Sequence, residues 1–255
     1  TDVNLRTAVA SRSEDEAMII GAVRGSVKGG VSAFNRAVAG VLRTWLIRLG
    51  RTAVAADGDN FSLASSVMLL LKADGKLDEA EPLGRRALEG SEELLGEEHP
   101  HTLRLASNLA VLLHQQGKGD EAEPLYRRAL RGFEADQGKG RSHPDTLMLV
   151  NNLSVLLKAR GELAEAGDLC RRALQGTEAR LGRTHPDTLS AAHNMAVLLR
   201  AQGDLDKAED LYRRALRGRE ENLGRTHPET LSSMHNLAAL LHASGKLEQA
   251  EAHSR

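Results

Sequence analysis

The chain has 255 residues, a formal net charge of −1, and 41% apolar but only 2% aromatic content. Its core must therefore be built from Leu, Ala and Val, as helical packing with small interhelical contacts allows. So few rings give little for base stacking, which argues against nucleic acid as a partner even though N-terminal arginines could meet phosphates. A single cysteine, Cys170, excludes an intramolecular disulfide and hints at a reducing compartment.

The chain starts at Thr1-Asp2 and is read as processed, tagged off or clipped, with any address signal out of view. The expected compartment is intracellular, cytoplasmic or organellar. Residues 1–16 are polar and mixed and read as a tail. From Ala17 to Ala56 there is no Asp or Glu, while Arg24, Lys28, Arg36, Arg43, Arg48 and Arg51 all occur. The near-neutral total therefore hides a basic start and an acidic remainder.

Within residues 17–56 an apolar stripe runs through Val27, Val31, Phe34, Val38 and Trp45 at helical spacing. Gly21, Gly25 and Gly29 put small residues at every fourth place, where another helix can approach closely. So many glycines make a poor isolated helix, at roughly 1 kcal/mol each relative to alanine. The segment is expected to pack on something: on the first repeat as a cap that buries Trp45, or on a partner protein or membrane surface. A retained targeting segment is the third alternative. Charges interrupt every window long enough for a spanning helix.

The rest of the chain is one unit repeated. His-Pro pairs at His99, His143, His185 and His227 are spaced 44, 42 and 42 residues apart, and each is followed 18 residues on by a glycine: Gly117, Gly161, Gly203 and Gly245. A degenerate copy begins near Asp57, with Gly75 and Arg85-Arg86 still in register. The copies lie near 57–98, 99–142, 143–184, 185–226 and 227–255, the last incomplete. Each reads as two amphipathic helices around the glycine turn, and such units bury their apolar faces by stacking on one another. Thr184 with Asp187, Thr226 with Glu229, and Ser142 with Asp145 fit the capping-box pattern at the entry to each copy. Pro82 and Pro124 are expected in the first turn of the second helices, where a missing N–H costs nothing.

The motif NLAVLL, the turn glycine, and then Ala122, Tyr126 and Ala129 resemble the tetratricopeptide repeat. The longer unit with G-x-x-HP-x-TL is similar to the kinesin light chain variety, over about residues 57–255. Departures are local: Gly84 and Cys170 replace the tyrosine, Gly119 replaces the leucine after the turn, and two residues precede His143 as an insertion. The resemblance implies an all-α, right-handed superhelical solenoid of about five helix-turn-helix repeats, with first helices lining a concave groove. The groove would present Lys72, Arg104, Asn108, His114, Asn151, Asn152, Lys158, His193, Asn194, Arg200, His235 and Asn236. It also implies short acidic segments with an aromatic anchor as ligands.

One asymmetry does not depend on that resemblance. The first-helix stretches 102–116, 146–160, 188–202 and 230–244 contain no Asp or Glu. Basic ends and an asparagine series suit an extended acidic segment, the amides meeting its backbone and Lys or Arg its carboxylates. The asparagines could equally hold the neighbouring helix and serve only stacking.

No catalytic set is present. The histidines form no HExxH or CxxC pairing, a zinc site between His193 and His235 is a remote reading, and the glycines of 21–30 lack the phosphate-loop pattern. No cofactor or metal is expected. The function expected is a non-enzymatic scaffold or adaptor that binds a protein partner. The alternative is an accessory subunit of a larger assembly, such as an organellar membrane complex, docked through residues 17–50. The last copy ends at Arg255 before its LYRRAL counterpart, so an apolar edge is expected to need a cover from more chain or a partner.

Overall fold

The computed structural model describes residue 40 and residues 44–54, 60–136, 138 and 140–246. The residues expected to dock or cap, Gly21, Gly25, Gly29, Val27, Val31, Phe34 and Val38, lie outside the described residues, as does the uncovered C-terminal edge from Leu247 on. The described residues contain ten helices and no strand: α1 (44–54), α2 (Phe61–Ala73), α3 (Leu77–Leu95), α4 (Pro100–Gln115), α5 (Gly119–Ala135), α6 (Pro144–Ala159), α7 (Leu163–Leu181), α8 (Pro186–Gln202), α9 (Leu205–Leu223) and α10 (Pro228–Ala243). The fold is an all-α helical repeat solenoid, as the periodicity predicts. Two compact units divide it between Glu97 and Glu98.

In the first unit α2 and α3 form one helical hairpin. The helix α1 lies against α2 so closely that a Cβ on Gly50 would sit 2.4 Å from Val67 Cγ2. Arg86 on α3 donates from Nη2 to the Val54 carbonyl at 3.3 Å, and Arg51 pairs with Glu79. Ile47 and Val54 are buried, while Trp45 is only half-buried.

In the second unit the hairpins α4–α5, α6–α7 and α8–α9 stack in order, followed by α10. Further contacts run from first helix to first helix, α4 to α6, α6 to α8 and α8 to α10. The first helices thus form one continuous face, with the second helices behind it. Between the two layers lies a core such as Ala196, Leu199, Ala208, Tyr212, Leu216, Leu237, Leu240 and Leu241. Cys170 is part of this interior, buried with its thiol 3.2 Å from Ser154 Oγ and pushed up in pKa by that burial.

The turn between the two helices of a copy needs a left-handed residue, and glycine supplies it without steric penalty. Gly203 closes α8 in this conformation at φ 86°, and Gly117, Gly161 and Gly245 share it at 79°, 83° and 74°. A second glycine series works by absence of volume. A Cβ on Gly132, Gly176 or Gly218 would meet the buried side chains of Leu103, Leu147 and Leu189 at 2.2, 2.5 and 2.6 Å respectively. The leucine that opens each first helix therefore crosses its own second helix over a glycine, which sets how near the pair can approach.

Two local expectations are corrected. The residue outside each first helix is the histidine of the His-Pro pair and not the Ser or Thr before it. Nδ1 of His99, His143, His185 and His227 accepts from the backbone N–H two residues on, at 3.2 to 3.3 Å, with proline at the first helical position. The extended ψ of the histidine, 137° to 143°, places its ring where a capping oxygen normally lies. Pro82 and Pro124 stand inside α3 and α5, beyond the four donors that lack partners. Each stands sixth in its helix and removes one internal hydrogen bond; counted from Asp78 or Asp120 it would still be fifth.

Candidate peptide-binding face

The face formed by α4, α6, α8 and α10 is built on a register that repeats with the copies. Nine residues after each His-Pro histidine stands an asparagine: Asn108, Asn152, Asn194 and Asn236. The position just before it carries Ser107, Asn151, His193 and His235. Asn194 on α8 reaches back to α6 and donates from Nδ2 to Asn151 Oδ1 at 3.0 Å. One copy further on, Asn236 on α10 reaches back in the same register to His193, with Nδ2 3.4 Å from Nε2. These two asparagines bind neighbouring first helices together. Asn236 also donates to the Ser232 carbonyl within its own helix, whereas Asn108 and Asn152 stand half-buried on the face.

His193 does not present its ring on the open face as the spacing predicts. It is 9% exposed, lies edge-on to Tyr212 at 5.4 Å between centroids, and has Nδ1 3.4 Å from Ser233 Oγ. His235, one copy on, is exposed, so the two rings do not converge on a metal. Among the described residues no group of three or more His, Cys, Asp or Glu could hold one. Burial, followed by Arg219, Arg200 and Lys158, holds the His193 pKa down to about 4. The ring is therefore neutral at physiological pH.

Among the described residues, three cations of this face lack an ion pair. Fifteen residues after the His-Pro histidine, the copies of the second unit place His114, Lys158, Arg200 and His242, with Arg104 nearer the start of α4. Lys158 and Arg200 are half-buried and Arg104 is exposed, and among the described residues none of the three has an ion pair. His114 is half-buried, edge-on to Tyr126 at 6.5 Å, and its pKa is lowered by burial. Met148, in the register of Arg104, is 50% exposed and offers an apolar contact. Lys72 occupies the same register in the first unit, where burial lowers its pKa.

The second-helix surface of the same unit is the reverse. Arg127 pairs with Glu123 and, through both Nη atoms, with Glu165 at 2.7 and 3.0 Å. Arg172 pairs with Glu134, Arg213 with Glu209, and Arg214 with Glu178. At the rim Arg160, the residue closing α6, turns outward to Asp120 and Glu162. Second-helix acids such as Glu123, Glu134, Glu165, Glu178 and Glu209 thus have arginine partners.

The structure therefore joins Asn151, Lys158, His193, Asn194, Arg200 and Asn236 into one cluster across α6, α8 and α10. It leaves Arg104, Asn108 and His114 on α4, and Lys72 in the other unit. One member escaped the sequence reading: Arg219 on α9, 6% exposed beneath the cluster. Aligning the copies could have found it, because the same register holds Ser91, Phe133 and Thr177. Among the described residues no helix is long and apolar enough to cross a membrane.

Comparison with known proteins agrees with this architecture. BtubC (BKLC) from P. vanneervenii is 25% identical, with 83% of this chain and 85% of that chain covered and a TM-score of 0.64. A putative kinesin light chain of Podospora anserina with nearly identical repeats is 24% identical over 76% of this chain and 91% of its own, at a TM-score of 0.62. No curated protein matches. The family model of the tetratricopeptide repeat matches residues 67–135, 145–221 and 191–255. The chain therefore belongs to the tetratricopeptide repeat family, a fold that commonly mediates protein–protein interaction.

Proposed function

We propose that this chain is a non-enzymatic adaptor whose first-helix face binds an extended acidic segment of a partner protein. One observation carries the reading: among the described residues Arg104, Lys158 and Arg200 have no ion pair, while Arg127, Arg172, Arg213 and Arg214 of the second helices are matched to carboxylates. Half-buried cations without counter-charge form strong, short hydrogen bonds to an arriving carboxylate, and little must be broken first. The open amides of Asn108 and Asn152 suit the backbone of an extended chain, and exposed Met148 gives an apolar side chain a place to rest.

A test uses a fluorescein-labelled peptide with one tryptophan flanked by glutamates, alongside its glutamine twin. The acidic peptide should bind, the twin should bind far more weakly, and added salt should loosen the complex. Arg200→Glu should weaken binding by at least about tenfold, the loss expected for one hydrogen-bonded charge contact. Equal affinity for both peptides, or no change on Arg200→Glu, would contradict the proposal.

A further inference from the structure

At the position of Arg219 a buried register of the repeats changes from uncharged to charged. In the other copies it holds Ser91, Phe133 and Thr177, which are 1%, 4% and 3% exposed and carry no charge. Here a guanidinium takes that place and passes between α8 and α10 from behind. Nη1 donates to Ser233 Oγ at 2.7 Å and to the Glu229 carbonyl at 3.2 Å, and Nη2 donates to Ser190 Oγ at 3.3 Å. Ser190 belongs to the ligand-facing helix α8, so the charge reaches the face through its floor. Nε is buried with no hydrogen-bond partner.

The anion that balances this cation is poorly placed. Glu229 Oε2 lies 3.4 Å from Nη2, and the Glu229 side chain is 54% exposed while that of Arg219 is 8% exposed. Arg200 from α8 and Lys158 from α6 act, like Arg219, on the neighbouring His193 and add positive charge to the same cluster. The remaining groups packed around the site are His193, held neutral, Tyr212 from α9, and Ser233 and Asn236 from α10. A buried cation is stable only when its donors and charge are well matched, and this one is matched by a single loose carboxylate. The lowered pKa of Arg219 has the same origin, its burial.

We propose that Arg219, with the hydroxyls of Ser190 and Ser233, is the receptor for one particular carboxylate of the bound acidic segment, and that Glu229 is the internal carboxylate which that group displaces. The proposal rests on the first-helix face being the binding surface, and adds to it a fixed point that sets the register of the ligand. The diffuse cations Lys158 and Arg200 attract negative charge anywhere along the segment. Arg219 is held by three neighbours and accepts a carboxylate at one place only. Glu229 fills that place in the free protein and competes with the ligand.

The experiment titrates the acidic tryptophan peptide against the full chain and three variants. Glu229→Gln removes the competitor and should tighten binding about three- to tenfold. Arg219→Thr, which installs the residue of the preceding copy, should weaken binding at least tenfold while the thermal transition stays cooperative. If Arg219→Thr does not fold, Glu229→Gln decides alone. The third variant, Lys158→Glu with Arg200→Glu, tests the face itself. Loss of binding in it, with wild-type or weaker affinity for Glu229→Gln, overturns the receptor and leaves the adaptor reading standing. Unchanged binding in the double variant overturns both.

Discussion

The two faces of the second unit carry the same kind of residue in opposite states. On the first helices Lys158 and Arg200 stand without carboxylates; on the second helices Arg127, Arg172, Arg213 and Arg214 each have one. A net charge near zero therefore describes neither surface. Among the described residues these four arginines are matched, while Lys158 and Arg200 are left open on the face where helices of successive copies meet.

The contrast can be sharpened at its deepest point. His193 lies under the unpaired cations and stays neutral down to about pH 4, whereas a histidine in the unfolded chain protonates near pH 6.5. The folded pKa is depressed for a base, so the unfolded state binds the extra proton first. The fold keeps this contribution above pH 6.5 and loses it as pH falls toward 4, up to about 3 kcal/mol. Denaturant unfolding of wild type and His193→Gln at pH 7 and pH 4 should show that loss in the wild type and not in the variant. An equal pH dependence in both would mean His193 is not held neutral by its setting.

A middle-sized effect is expected where the two layers meet. Gly218→Ala would set a Cβ 2.6 Å from the buried Leu189 side chain, an overpacking that costs about 1 to 3 kcal/mol against the 1 kcal/mol that alanine returns in helix propensity. The thermal midpoint should fall, and Leu189→Ala in the same chain should recover part of the strain. The smallest effect is expected on the matched face. Arg127→Ala removes pairs with Glu123 and Glu165 but should lower stability by less than about 1 kcal/mol, and less still in high salt, because Arg127 and Glu165 are solvated.

What was legible in the sequence follows the range of the forces involved. Helix pairs and turn glycines come from local periodicity, and among the described residues they stand in the structure as read. The acid-free first helices were equally visible, since composition needs no coordinates. The helix caps were misplaced by one residue because backbone dihedrals, not side-chain preference, decided that His185 and not Thr184 lies outside α8. The crossing of Leu189 over Gly218 joins residues 29 apart, so a one-dimensional pattern gives no warning of it. His193 looked like a face residue because its helical angle points inward, yet Asn236 and Ser233 of the next copy close over it. Arg219 sits in the run Arg217-Gly218-Arg219-Glu220, which reads as a solvated charged face; only the stacking of α10 buries it.

The central claim is that unmatched positive charge on the first helices is the binding determinant. The most direct measurement compares charge reversal on the two faces, Lys158→Glu with Arg200→Glu against Arg172→Glu with Arg213→Glu, using fluorescence anisotropy of the acidic tryptophan peptide at two salt concentrations. The account predicts that the first pair weakens binding on the order of a hundredfold at low salt, with a smaller ratio at high salt, while the second pair changes affinity by less than about threefold. Equal losses from the two faces would show that the peptide responds only to overall charge and would contradict a built binding face.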